Sequence, residues 1–189
     1  MPQPKPHLLT PEEYLQREED GPIRHEFVAG EVYAMSGGTL VHNEIALNLA
    51  VWLRNHLSGQ PCKVYINDVL VRAAASDAYY YPDLVVRCGA DLPPEARVID
   101  DPLLVIEVLS KGTRGTDLRE KQAAYRRIRS VQEYLVVSQT KPFAEVWRRM
   151  GELGWDYLGL DDAIELTSVR AKIPMKDVFA GTRVMGAAQ

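Results

Sequence analysis

The chain has 189 residues, 46% apolar and 25% charged, with a formal net charge of -4. That composition excludes a mainly disordered chain, and the length suits one domain with a sizeable core. The acid excess argues against a protein that coats nucleic acid indiscriminately through counterion release.

The opening segment MPQPKPHLLTPEEY lacks the apolar stretch of a secretory signal, and no later apolar run is long enough to span a bilayer. A cytoplasmic protein without membrane attachment is expected. Thr10 is a candidate N-cap, with Pro11 at the first helical position and Glu13 three residues after the cap, and Gly21-Pro22 ends this short helix. IRHEFVAGEVYAM reads as two strands joined by a tight turn at Ala29-Gly30. From residue 39 to 57, Val41, Ile45, Leu49, Trp52 and Leu53 recur at helical spacing, and Gly59 stands just beyond the end.

CKVYINDVLVRA and YYYPDLVVRC carry the β-branched and aromatic enrichment of strands. Cys62 and Cys88 form no CxxC or Cys/His pattern, so buried free thiols are expected rather than a disulfide or a zinc site. PLLVIEVL is apolar on both parities, as a strand covered on both faces would be. After a loop containing Gly112 and Gly115, residues 117–129 read as a second helix, followed by the buried strand EYLVVS. FAEVWRR and GWDYLGL flank a turn at residues 151–154, and IPMKDVFA reads as a closing turn of helix. The alternation predicts an α/β or α+β fold over residues 1–189 as a single domain, with a mixed central sheet flanked by helices and a hairpin toward each end.

Residues 111–129 carry Lys111, Arg114, Arg119, Lys121, Arg126, Arg127 and Arg129 against Asp117 and Glu120, which is either a solvated helix face or a surface turned toward phosphates.

In the strand at 103–109, Leu103, Val105, Glu107 and Leu109 point one way and Leu104, Ile106 and Val108 the other. Glu107 therefore projects from a covered sheet, where an ionised carboxylate needs a cation, a metal or several donors. One solution is a core ion pair with arginine or lysine. Another follows from Asp83, at the head of a strand that sequence order places beside this one. Two adjacent carboxylates repel unless a divalent cation lies between them, and a small set of hard oxygen ligands suits Mg²⁺.

A lysine near the attacking water would complete a metal-assisted hydrolytic site. The position two residues after Glu107 is occupied by Leu109, but Asp117, Lys121 and Tyr125 form one polar stripe on the following helix. If that helix packs beside the strand, Lys121 reaches the carboxylates; otherwise Asp117 and Lys121 are a surface pair.

Pro82-Asp83, the IEVLS at 106–110, the D-x-x-x-K-x-x-x-Y at 117–125 and the VQEYLVV that follows resemble the PD-(D/E)xK nuclease superfamily. Within it the chain is similar to the large bacterial family of putative restriction endonucleases, in which the lysine has migrated to the helix after the strand. The resemblance runs from YLQREEDGPIRHEFVAGEVYAM to EYLVVS. It implies a restriction-endonuclease-like fold and Mg²⁺- or Mn²⁺-dependent cleavage of DNA. Asp83 and Glu107 would bind the metal and Lys121 would position water. It also implies Glu26, Glu31 and His42 as an outer shell, with Glu44 as an alternative from the His42 helix. For His42 a backbone partner near the helix N-terminus is the preferred reading over a metal or proton-transfer role.

Lys111 replaces the family's usual proline and competes with Lys121 as the active lysine, and Ser138 stands where an aspartate usually closes the EYLVVS strand. By analogy with nucleases that cut two strands, a homodimer is expected. The alternative is a non-catalytic nuclease-fold module for binding or assembly, consistent with the acidic total charge.

Overall fold

The structure is a computed structural model that describes residues 8–35, 37–109, 117–152 and 154–184. Helix α1 (Pro11–Asp20) starts on the expected capping box: the Glu13 N–H donates to Thr10 Oγ1 at 3.2 Å, and the Thr10 N–H donates to Glu13 Oε2 at 2.9 Å. Strands β1 (His25–Val28) and β2 (Glu31–Ala34) form the first hairpin. Both turn residues have positive φ, 49° at Ala29 and 90° at Gly30, which suits the twist of a two-residue hairpin. A Cβ on Gly30 would come within 2.7 Å of Leu8 Cβ, so the position has neither the space nor the conformation for a side chain.

Helix α2 (Leu40–His56) is capped by Thr39 and buries Ile45, Ala46, Leu49, Ala50 and Leu53. There follow β3 (Cys62–Ile66), β4 (Leu70–Ala73), β5 (Ala78–Tyr80), β6 (Leu84–Cys88), β7 (Val98–Ile99) and β8 (Leu104–Leu109). The expected second helix begins as a π-helical turn at Asp117–Lys121 and continues as α3 (Gln122–Arg127). After it come β9 (Glu133–Ser138), β10 (Ala144–Met150), β11 (Gly154–Leu160), β12 (Ala163–Leu166), β13 (Ala171–Pro174) and α4 (Met175–Val178).

The strands form two principal sheets and a small hairpin. The first sheet has the order β2-β1-β5-β4-β7, the second β11-β10-β9-β8-β6-β3, and β12 pairs with β13. In the second sheet β8 and β9 are parallel and the other pairs antiparallel, giving the expected mixed sheet with β10 and β11 as its terminal hairpin. Strand β8 lies inside it with all six residues buried. Its two parities separate as expected. Leu104, Ile106 and Val108 join the α2 residues in one apolar cluster. Val105 and Leu109 join Ala124, Tyr125 and Ile128 of the α3 region, together with Val71 and Tyr80 of the first sheet.

Two of the places where the chain passes from one sheet to the other are neighbours. Between β5 and β6 it passes through Tyr81, Pro82 and Asp83; proline has no N–H for a ladder, so strand pairing breaks there. Between β3 and β4 it turns through Asn67 and Asp68, whose φ values are 46° and 23°. The Asn67 N–H donates to the Asp83 carbonyl at 3.0 Å and holds the two corners together.

The two cysteines depart from expectation. Cys62 and Cys88 face each other in the β3–β6 register and are joined as a disulfide, with a Cα–Cα distance of 3.9 Å. Local spacing carries no sign of this, because the pairing arises only when distant strands are placed side by side. Among the described residues no helix is long and apolar enough to cross a membrane.

Candidate active site

The β6–β8 register pairs Leu84 with Ile106 and Val85 with Val105; continued by one residue, it sets Asp83 opposite Glu107. Asp83 Oδ2 accepts the Val108 backbone N–H at 2.7 Å, and Oδ1 hydrogen bonds with His42 Nε2 at 2.9 Å. The first contact ties the Asp83 side chain to the strand that bears Glu107. The second comes from the first turn of α2.

Glu107 faces α3, as its parity requires. Its Oε1 accepts from the Tyr125 hydroxyl at 3.3 Å and from Lys121 Nζ at 3.4 Å. The same ammonium lies 2.8 Å from Glu26 Oε1, which also accepts the Tyr81 N–H at 3.1 Å. Lys121 is only 6% exposed, so its charge depends on these carboxylates for compensation. Burial, reinforced by the negative charge of Glu107, holds the Tyr125 phenol well above its ordinary pKa and keeps it a hydrogen-bond donor.

Asp83, Glu107 and Lys121 line one open cleft of about 470 Å³, with His42, Asn43, Arg24 and the Asn67-Asp68 turn around its mouth. The donor set fits a hard divalent cation with open coordination positions. Two carboxylates stand opposite each other in register on one cleft wall, and among the described residues no group of three or more His, Cys, Asp and Glu side chains is arranged to enclose an ion. Mg²⁺ commonly takes one or two carboxylates and keeps its other positions for water or phosphate oxygens.

Glu26 contacts Lys121, His42 contacts Asp83 and Tyr125 contacts Glu107. The His42 ring meets a carboxylate, beyond the simple backbone partner that its position also allowed. Glu44 is exposed on the side of α2 opposite the buried stripe, and Asn43 is the neighbour that lines the cleft. Glu31 is exposed at the far end of the β1–β2 hairpin, where it accepts a hydrogen bond from Tyr33, and it takes no part in the cleft lining. Lys111 and the side chain of Asp117 lie outside the described residues. Leu109, where a strand lysine would stand, is buried in the cluster that contains Tyr125.

The basic run divides by environment. Lys121 belongs to the cleft, Arg126 packs over the Trp155 ring, and Arg119, Arg127 and Arg129 are exposed.

Glu18 is a participant that sequence reading missed. It is 5% exposed, accepts the His25 N–H at 2.9 Å and the Tyr81 hydroxyl at 3.1 Å, and lies 3.2 Å from His25 Nδ1. Within REED it resembles any solvated helix acid, and only the fold brings it to Tyr81.

Residues 11–170 match the family model described as Uma2, putative restriction endonuclease. The chain is 32% identical over 175 residues to the uncharacterized protein slr1290 of Synechocystis sp., covering 92% of each. It is 31% identical over 170 residues to the uncharacterized protein sll1609 of the same organism, covering 86% of this chain and 95% of the relative. The fold is similar to a crystal structure of a putative nuclease belonging to DUF820 from Anabaena variabilis, with a TM-score of 0.73 at 16% identity over 90% of this chain and 97% of the other. That likeness shows the restriction-endonuclease-like fold, and the family match over most of the chain assigns this protein to the Uma2 family.

Proposed function

We propose that this protein is a Mg²⁺- or Mn²⁺-dependent DNA endonuclease that hydrolyses phosphodiester bonds. The observation that carries this reading is the convergence of Lys121 Nζ, 3.4 Å from Glu107 Oε1, with Asp83 in one open cleft. Asp83 and Glu107 would hold the metal. When bound, the ion supplies Lewis-acid polarisation of the phosphodiester and offsets charge that builds in the transition state.

The remaining work falls to side chains. The backbone N–H of Val108 and the His42 ring fix the Asp83 carboxylate. Tyr125 and Lys121 orient Glu107, and the Lys121 ammonium positions the attacking water by donating to its oxygen, which favours loss of the water's proton. Glu26 keeps the ammonium at the cleft wall. A homodimer extends the same reading, because two such clefts would cut both strands of a duplex in one encounter.

Incubation of the purified protein with plasmid and branched DNA plus Mg²⁺ or Mn²⁺ should give cleavage, lost in Glu107→Ala and reduced at least about 100-fold in Lys121→Met. Cleavage that survives both substitutions would overturn the assignment. Binding of Mn²⁺ by neither the wild type nor Asp83→Ala would favour a non-catalytic module, and light scattering of a monomer alone would remove the dimer.

A further inference from the structure

A polyanionic strand entering the cleft meets the acidic side chains of Asp68, Asp83 and Glu107. Among the described residues, the lysine and arginine side chains lining it are Lys121 and Arg24. Lys121 is buried and engaged with Glu26 and Glu107. Arg24 is placed differently. Its side chain is 40% exposed, and its nearest carboxylate, Asp68, is itself 75% exposed, with Arg24 Nε 3.5 Å from Asp68 Oδ1. A single exposed contact at that length is a weak pair that an incoming anion exchanges readily.

We infer that Arg24 binds a backbone phosphate next to the one being cleaved, with Asp68 as its counter-ion in the free protein. This rests on the endonuclease reading above. The guanidinium is already oriented for such a contact. One nitrogen donates to the Glu18 carbonyl at 3.3 Å, and its carbon lies 6.0 Å from the centroid of the Tyr81 ring. That ring is held at its hydroxyl by the buried Glu18 carboxylate. A guanidinium fixed in this way presents its remaining N–H groups as a fork suited to two phosphate oxygens.

Position ties the contact to the reacting centre. Asp68 sits on the turn whose Asn67 N–H donates to the Asp83 carbonyl, so the Arg24–Asp68 pair is anchored beside the Asp83 backbone. Arg24, Asp68 and Tyr81 also line a second cleft of about 370 Å³ and stand between the two. A strand running from the first cleft into the second would cross Arg24.

Fluorescence anisotropy with a labelled DNA duplex in EDTA, repeated over a range of salt, tests the contact. Arg24→Ala should weaken binding about tenfold and reduce the slope of log affinity against log salt by about one. In cleavage assays KM should rise by the same factor, with kcat nearly unchanged. Arg24→Lys should recover the slope but only part of the affinity, and Asp68→Asn should bind more tightly than wild type. Wild-type affinity and slope in Arg24→Ala, or a loss confined to kcat, would overturn the inference. If the wild type cleaves DNA and only the Arg24 results are flat, the endonuclease reading stands and this contact falls. If the wild type neither binds nor cleaves, both fall.

Discussion

The ammonium of Lys121 sits 2.8 Å from the Glu26 carboxylate, closer than its 3.4 Å approach to Glu107. One buried cation is thus shared between an acid of the hairpin and an acid of the central sheet. If Glu107 holds a metal as proposed, sharing the ammonium with Glu26 leaves that carboxylate more available to the ion. In Glu26→Gln the ammonium loses the nearer of these two carboxylates and its pairing with Glu107 strengthens, so the Mn²⁺ concentration needed for half-maximal binding should rise several-fold in calorimetry. The lost charge-assisted contact should also lower stability by about 1–3 kcal/mol. Unchanged metal affinity would mean that Glu26 serves Lys121 only as a packing partner.

Tyr125→Phe removes a donor to Glu107 and leaves the ring that packs against Tyr80 and Tyr134. Stability should fall by about 1 kcal/mol and kcat by a few-fold, as Glu107 loses one of its orienting contacts. Denaturant unfolding and steady-state cleavage measure the two effects. A variant with wild-type kcat would show that the Tyr125 hydroxyl does not orient Glu107.

Four of the six tyrosines buried among the described residues make alkaline stability a third test. Burial pushes the Tyr80 phenol up to about 12, and raises Tyr14, Tyr81 and Tyr125 as well, with nearby carboxylates adding to the effect. A phenol with a raised folded-state pKa ionises more easily in the unfolded chain. Its contribution to stability is therefore fully present below about pH 10 and is lost as the pH rises toward the folded value. The melting temperature should hold to about pH 10 and then fall steeply, with phenolate absorbance appearing together with unfolding. Phenolate appearing in the native state near pH 10 for all the tyrosines would contradict this.

The Cys62–Cys88 bridge closes a loop with a sequence separation of 26 residues. Replacing both cysteines with alanine should cost about 3 kcal/mol, read as a lower midpoint in denaturant, with a similar loss on reduction of the wild type. Cleavage at low temperature should survive, because Cys88 ends the strand that begins beside Asp83. Equal midpoints in oxidised and reduced protein would show that the bridge adds nothing to stability.

What sequence reveals here follows the range of the interaction. The Thr10 capping box, the Ala29-Gly30 turn and the β8 parity are local, and each is realised as read. Lys121 and Tyr125 were legible as one helical stripe, and both reach Glu107 although the helix opens with a π turn. The division of the strands into two sheets, the Cys62–Cys88 pairing and the role of Glu18 depend on contacts between distant segments. Glu31 lies outside the cleft lining for the same reason: strand parity sets its face, but its place beside the turn of the hairpin is fixed by tertiary position.

The cleft draws on the base of a hairpin, the first turn of α2, a corner between sheets, a central strand and the helical turn after it, in chain positions from Arg24 to Lys121. No short segment contains a working part of it. A chain emerging from the ribosome carries each of these groups separately, and they meet only when β8 has entered the sheet and the turn bearing Lys121 has docked. Should the protein cut DNA, that arrangement would make completion of folding the step that arms it, and a truncated or misfolded copy would be harmless to the genome around it.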